Sequence, residues 1–175
     1  MRSIKEEQLS IRNISELFEG IVQALCQKSL EFYGERLISF VVFGSVGRQA
    51  MKPDSDIDLL LVVAPLPKGR IRRVCEFEAI ERSMADQLKE AQKNGISTRF
   101  SPIFKTPDEV RLGSPLFLDM TEDARILLDR EGFFRREMDQ LRKRLKRLGA
   151  KRIWKDSAWL WDLKPDYKYG DEFEF

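Results

Sequence analysis

The fold can be inferred first from residues 37–63, which read LISFVVFGSVGRQAMKPDSDIDLLLVV. The first seven residues are β-branched, aromatic or aliphatic except for one serine, and they predict a short strand. Residues 56–63 predict a second strand, and beyond its carboxylates both faces are apolar, which is typical of a central strand covered on both sides. Between the two strands, Gly44-Ser45 ends the first one, residues 46–51 predict a short helix, and residues 52–55 predict a turn.

The elements around this segment follow from apolar spacing and from turn residues. They are helices over about 13–33, 70–93 and 134–148, strands over 96–104 and 124–129, and a helix start at 106–109. This order predicts an α/β (α+β) fold, with a small mixed β-sheet, flanking helices and a C-terminal helix and strand extension. We expect a core domain over residues 1–129, and over residues 130–175 a C-terminal helix with a Trp-rich extension packed on that core.

The composition excludes several kinds of chemistry. The chain has 175 residues, no histidine and two cysteines, with 31 Lys and Arg against 29 Asp and Glu. Without histidine there is no Ser-His-Asp or Cys-His triad and no His-ligated zinc, so any metal must be held by oxygen. No apolar run is long enough to span a membrane and no signal-peptide core follows the charged N-terminal residues, so we expect a cytoplasmic protein without a membrane partner.

Two carboxylates at the start of the second strand indicate a cation site. Asp56 and Asp58 are two residues apart and therefore project from the same face of the strand, where they repel each other unless a cation lies between them. Mg²⁺ suits such a pair, because it takes one or two carboxylates together with phosphate oxygens of a substrate. Gly44 allows a phosphate to approach the backbone, Ser45 offers a hydroxyl, and Arg48 offers a guanidinium one turn later. These residue types suit a metal–triphosphate site.

The segment resembles the nucleotidyltransferase superfamily with a DNA-polymerase-beta-like core. That superfamily has Gly-Ser, ten residues and then Asp-x-Asp, and here residues 46–55 separate Gly44-Ser45 from Asp56-Ile57-Asp58. The form Gly44-Ser45-x-x-Arg48 is similar in particular to the minimal nucleotidyltransferases, except that Gly47 and Gln49 replace a frequent Ala and Gly. The resemblance implies that Asp56 and Asp58 are catalytic residues that bind Mg²⁺, or alternatively Mn²⁺. It also implies that Gly44, Ser45 and Arg48 bind the nucleotide.

One departure from the family concerns a third carboxylate, which family members place on the next strand. That strand is expected over residues 96–104, which contain no Asp or Glu, and Arg99 and Ser101 occupy the region of the acid. The acids that offer a substitute are Asp54, Glu109, Asp119 and Asp162, although each is better explained as a turn, cap or surface residue.

The resemblance implies transfer of a nucleoside monophosphate, most simply AMP from ATP, to a hydroxyl group. Minimal nucleotidyltransferases are often antitoxins of HEPN-domain toxins, and some adenylylate a toxin tyrosine, so we expect a protein acceptor of that kind. Two alternatives stay open: a catalytically weak module that neutralises a partner by contact, and transfer to a small molecule of the aminoglycoside type or to RNA.

Two features of the C-terminal part have simpler interpretations than ligand binding. The basic residues near 142–147 are interpreted as the solvated face of a helix, so nucleic acid is not an expected partner. Trp154, Trp159 and Trp161 are expected to serve packing, and the last two to share one face of a strand. The acidic, aromatic tail over 171–175 is a candidate to pair with the basic helix, within one chain or across a homodimer.

Overall fold

A computed structural model describes residues 4–156, 158–169 and 172, with side chains from residue 13 onward. The helices are α1 (Ile4–Tyr33), α2 (Gly44–Gly47), α3 (Arg70–Ser83), α4 (Ala85–Lys93), α5 (Pro107–Arg111), α6 (Leu116–Asp123) and α7 (Phe133–Leu148). The strands are β1 (Leu37–Phe43), β2 (Ile57–Val63), β3 (Phe100–Lys105), β4 (Arg125–Asp129), β5 (Lys151–Lys155) and β6 (Ala158–Asp162). Short 3₁₀ turns follow α1 and β4.

The first four strands form one mixed sheet in the order β3-β2-β1-β4. The pairs β1–β2 and β1–β4 are antiparallel, whereas β2 and β3 are parallel. The last two strands form a separate antiparallel hairpin, which we call the Trp hairpin because it contains all three tryptophans. The α+β class with a small mixed sheet and flanking helices, predicted from the sequence, is therefore confirmed.

Two apolar cores cover the two faces of the sheet. On one face, α1, α3 and α4 pack against the first set of β2 side chains: Ile57, Leu59, Leu61 and Val63. On the other face, α5, α6 and α7 pack against Leu60 and Val62. All six of these side chains are buried, as the sequence of a doubly covered strand predicts. Asp58 lies in the same row as Leu60 and Val62, because side chains two residues apart share a face.

Several predicted boundaries shift. Helix α1 begins earlier than predicted, and α2 begins at Gly44 rather than at residue 46. The helix predicted over residues 70–93 is two helices, because the chain bends at Met84, whose side chain is fully buried. Strand β3 begins at Phe100 rather than at residue 96, and α6 was not predicted.

The C-terminal part follows the predicted helix and strand order. Helix α7 ends at Leu148, and Gly149 caps it in the left-handed conformation, as predicted. The domain boundary at residue 129 remains a prediction. Residues 171 and 173–175 of the acidic tail lie outside the described residues. Within the described part of the chain, no helix has the length and apolar character needed to cross a membrane.

Candidate active site

The antiparallel pairing of β1 and β2 brings the glycine–serine turn against the carboxylate pair. Phe43, the last residue of β1, lies opposite Asp58, and Gly44 follows it with φ of +65°. A Cβ atom built on Gly44 would overlap the Asp58 carboxylate oxygen Oδ2. Glycine is therefore required here for two reasons: the backbone is left-handed, and the neighbouring Asp58 carboxylate fills the space of a side chain.

The Asp58 carboxyl lies partly buried between β1 and β3. Burial raises its pKa above the usual aspartate value, and the negative charge of Asp56 raises it further. The neighbouring Ser101 hydroxyl and the positive charge of Arg48 act in the opposite direction and lower the pKa of the same carboxyl. A carboxylate held in this way, next to a second carboxylate, is stabilised in its ionised form by a cation.

Asp56 lies one residue before β2, and the turn that precedes it is fixed from two sides. Within the turn, the Lys52 amide donates to Ser55 Oγ over 2.8 Å. From the segment before β3, Thr98 Oγ1 donates to the Ser55 carbonyl over 2.7 Å and the Ser97 amide donates to the Pro53 carbonyl over 2.8 Å. These bonds explain why residues 96–99 are not part of the strand. They hold the turn rather than extend the sheet.

The Asp56 side chain is partly exposed and faces a cation. Its Oδ2 atom lies 3.5 Å from Nη2 of Arg99, and 43% of its side chain is exposed. The Arg99 side chain is 84% exposed. An exposed pair of this kind contributes little to stability, so Arg99 is able to swing away when another cation or a phosphate approaches.

The structure explains one of the two departures from the family motif, Gly47, but not the other, Gln49. A Cβ atom on Gly47 would lie 2.8 Å from the Asp123 carbonyl oxygen and 2.9 Å from that of Val42, so α2 packs directly on the backbone of its neighbours. Gln49 has φ of +57°, in the left-handed region that favours glycine. Gly47 is therefore enforced by close packing, whereas Gln49 occupies a position suited to the glycine that it replaces.

Arg48 is held against α6 and the Trp hairpin. Its Nη1 atom lies 3.7 Å from Asp123 Oδ2, and its guanidinium carbon lies 4.8 Å from the centre of a Trp159 ring. These two contacts were not predicted. The alternation of Trp159 and Trp161 indicated a strand face, but nothing in the sequence indicated which residues that face contacts.

The third carboxylate of the family has no counterpart in β3. Asp58 lies directly beside Ser101 in the parallel register of β2 and β3, so a serine occupies the neighbouring position on that face. Within the described part of the chain, no cluster of three or more Asp, Glu, Cys or His is arranged to hold a metal.

The four acids considered as substitutes have other surroundings. Asp54 is exposed in the turn before Asp56. Glu109 forms a capping box with Thr106 and an ion pair with Arg73 at 2.7 Å. Asp119 accepts hydrogen bonds from two tryptophan indoles, and Asp162 lies on β6.

The donor set that remains fits a divalent cation shared with a substrate. Asp56 and Asp58 supply carboxylate oxygens, which are the ligands that Mg²⁺ and Mn²⁺ prefer. Asp58 Oδ2 occupies the space that a side chain on Gly44 would fill, so this carboxylate lies directly against the glycine–serine turn. Two carboxylates alone do not complete a metal site, so the other ligands have to come from phosphate oxygens and water.

Comparisons with known proteins found several similar chains. A protein of Methanocaldococcus jannaschii, provisionally named a protein adenylyltransferase, is 29% identical over 145 residues, covering 82% of this chain and 93% of the relative. A solved toxin–antitoxin structure with AMP-PNP is similar over 73% of this chain and 92% of its own, with 13% identity and a TM-score of 0.43. A mutant MntA–HpeT toxin–antitoxin structure covers 69% of this chain and 86% of its own, with 12% identity and a TM-score of 0.37.

The family comparison matches residues 19–128, more than half of the chain, to the family described as the nucleotidyltransferase domain. The match begins within α1, includes Gly44, Ser45 and the carboxylate pair, and ends within β4. By this match over most of the four-stranded sheet and its flanking helices, the chain belongs to the nucleotidyltransferase domain family and is an enzyme of that class.

Proposed function

We propose that this enzyme transfers AMP from Mg²⁺-bound ATP to a hydroxyl group of a protein. The observation that carries the proposal is the contact between Gly44 and Asp58, which brings the half-buried Asp58 carboxylate next to a turn suited to phosphate. The name of the archaeal relative, a protein adenylyltransferase, supports adenylyl transfer and a protein acceptor. ATP as the donor agrees with the cytoplasmic location that the sequence predicts.

In this proposal Asp56 and Asp58 hold Mg²⁺, which supplies charge neutralisation of the triphosphate when it is bound. Gly44 lets the phosphates approach the backbone, Ser45 donates its hydroxyl, and Arg48 places a forked guanidinium toward the β- and γ-phosphates. The acceptor oxygen forms a bond to the α-phosphorus while the bond to the bridging oxygen breaks and pyrophosphate leaves. The acceptor proton passes to solvent or substrate, because β3 carries Ser101 in the region where the family places its third carboxylate.

The acceptor that we propose is a tyrosine of a HEPN-domain toxin, which makes this chain an antitoxin. This part rests on the resemblance of Gly44-Ser45-x-x-Arg48 to the minimal nucleotidyltransferases. In such a role the enzyme modifies one partner at one position, so positioning of the acceptor matters more than general-base strength.

Transfer of label tests the proposed reaction. The protein is incubated with Mg²⁺ and ATP labelled on the α- or the γ-phosphate, in the presence of cell extract or of a co-expressed partner. We expect the α-label on a protein band and no γ-label, with loss of transfer in Asp56→Asn and in Asp58→Asn. Asp54→Asn is the matched control, because Asp54 is an exposed acid in the adjoining turn and is expected to retain transfer. Transfer of the γ-label, or no transfer from any nucleotide, contradicts the proposal.

Two observations favour a second function, a module that neutralises a partner by contact alone. Arg99 lies against Asp56, and no third carboxylate lies beside Asp58 in the described residues. If this function holds, the Asp58→Asn variant still protects cells from the partner while label transfer is absent in every variant. Label found in small molecules or in RNA instead of protein would identify the remaining alternative, an acceptor of the aminoglycoside type or an RNA acceptor.

A further inference from the structure

The Trp hairpin is attached to α6 through side chains on one of its faces. Asp119 Oδ1 accepts hydrogen bonds from the indole nitrogens of Trp159 and Trp161, over 2.6 and 2.8 Å. One helical turn later, Asp123 Oδ2 accepts a hydrogen bond from Arg152 over 2.6 Å. Two carboxylates four residues apart on α6 therefore anchor both strands of the hairpin.

The same face of the hairpin contacts Arg48, the residue that follows α2. The guanidinium carbons of Arg48 and Arg152 lie 4.8 and 4.0 Å from Trp159 rings, so one indole contacts two cations. Asp123 is shared in the same way, since its Oδ2 lies 2.6 Å from Arg152 and 3.7 Å from Arg48. Cation–π contact and ion pairing thus act together on a side chain that would otherwise be mobile.

Arg48 stays open to a ligand despite these contacts. Its side chain is 28% exposed, and the 3.7 Å between its Nη1 atom and Asp123 Oδ2 is longer than a hydrogen bond. The backbone bond from the Arg48 amide to the Gly44 carbonyl, at 3.1 Å, ties the residue to the turn that faces Asp58. A guanidinium has five donors in a planar fork, so one edge can be held by protein while others meet an anion.

We propose that Trp159 and Asp123 are positioning residues that hold the Arg48 guanidinium for the β- and γ-phosphates of the nucleotide. This inference rests on the proposed function and extends it beyond the family match, because Trp159 lies outside residues 19–128. The Trp hairpin is then a part of the nucleotide site rather than a separate extension. It acts on the triphosphate through Arg48, not by stacking on the base.

The chain offers a matched control for this role. Trp159 and Trp161 donate to the same oxygen of Asp119, and the described contacts place only Trp159 on Arg48. Trp159→Leu removes the aromatic face and the hydrogen bond, whereas Trp159→Phe removes the hydrogen bond and keeps an aromatic face. Trp161→Phe removes the equivalent hydrogen bond without touching Arg48.

The test compares affinities for Mg²⁺–ATP and, by competition, for AMP, which lacks the β- and γ-phosphates. We expect Trp159→Leu to weaken ATP binding about 3- to 30-fold, the range of one cation–π contact, while AMP affinity changes less than about twofold. Trp159→Phe restores most of the ATP affinity, and Trp161→Phe changes neither affinity. In an Arg48→Met background, Trp159→Leu has no further effect on ATP, because its role runs through the guanidinium.

Three results would overturn the inference while the proposed function stands. They are equal weakening of ATP and AMP, a full Trp159→Leu effect in the Arg48→Met background, and an effect of Trp161→Phe as large as that of Trp159→Leu. If Trp159→Leu does not fold, Asp123→Asn replaces it and is expected to weaken ATP and spare AMP. A wild-type protein that binds no Mg²⁺–ATP would instead refute the proposed function together with this inference.

Discussion

Replacement of Gly44 by alanine tests the central contact of the site, because the structure separates two costs. The φ angle of +65° is unfavourable for any side chain and costs about 1–2 kcal/mol. The new Cβ would also overlap Asp58 Oδ2, and forcing an extra carbon into an occupied position costs about 1–3 kcal/mol more. We therefore expect Gly44→Ala to lower the free energy of unfolding by about 2–5 kcal/mol.

Gly34→Ala is the matched control for this experiment. Gly34 has a similar φ of +56°, but a Cβ built there meets no atom within 4 Å. Gly34→Ala should lower the free energy of unfolding only by the backbone cost of about 1–2 kcal/mol. For a chain of 175 residues this lowers Tm by about 2–8 °C. The difference between the two variants isolates the overlap with Asp58.

Thermal and urea unfolding of both variants, alone and combined with Asp58→Ala, provides the assay. Removing the Asp58 carboxylate should reduce the cost of Gly44→Ala to that of Gly34→Ala, a non-additivity of about 1–3 kcal/mol. Gly44→Ala alone should also lose Mg²⁺-dependent nucleotide binding, since Asp58 has to move. Equal losses for Gly44→Ala and Gly34→Ala, with no coupling to Asp58, would refute this reasoning.

Three further substitutions give expected outcomes from single contacts. Gln49→Gly should raise the free energy of unfolding by about 0.5–1 kcal/mol in urea titrations, because φ of +57° suits glycine; an unchanged or lower value would contradict the assigned conformation. Asp129→Ala should lower the free energy of unfolding by about 2–4 kcal/mol, because its carboxylate accepts hydrogen bonds from buried Ser39 at 2.7 Å and from two amides of α7. Asp139→Ala, at an exposed position, is the control and should change it by less than about 0.5 kcal/mol. Asp58→Asn should raise Tm at neutral pH in EDTA, because burial and Asp56 raise the pKa of Asp58 and disfavour its ionised form in the folded state. The gain in Tm should shrink as pH falls through that raised pKa and vanish below the ordinary aspartate value, where the carboxyl is neutral in the folded and in the unfolded protein. A gain in Tm that persists in acid would contradict this reasoning.

Periodicity was sufficient to predict the sheet and both of its covered faces. The two apolar rows of β2 follow from a period of two, and burial of Leu59 and Leu60 on opposite faces confirms them. The bend at Met84 could not be predicted, because methionine suits a helix and the apolar spacing continues through it. The Met84 side chain at the break is fully buried in the core that α3 and α4 share with α1.

The site was only partly accessible from the sequence. Gly44, Ser45, Asp56 and Asp58 could be predicted as site residues because they lie close together along the chain. In the structure the turn lies against the Asp58 carboxylate. The contact of Arg48 with Trp159 joins residues 111 positions apart, so no local pattern encodes it. For the same reason, the sequence identified Gly47 only as a departure from the frequent Ala, and the close approach to the Asp123 carbonyl that enforces glycine there could not be predicted.

Binding of ATP in the presence and absence of Mg²⁺ tests most directly that Asp56 and Asp58 form the metal–triphosphate site. Calorimetry on the wild type should show binding that EDTA abolishes, and the Asp56→Asn, Asp58→Asn double variant should lose this Mg²⁺-dependent binding. Asp54→Asn, in the exposed turn, should bind as the wild type does. Undiminished Mg²⁺-dependent binding of ATP by the double variant would contradict the assigned site.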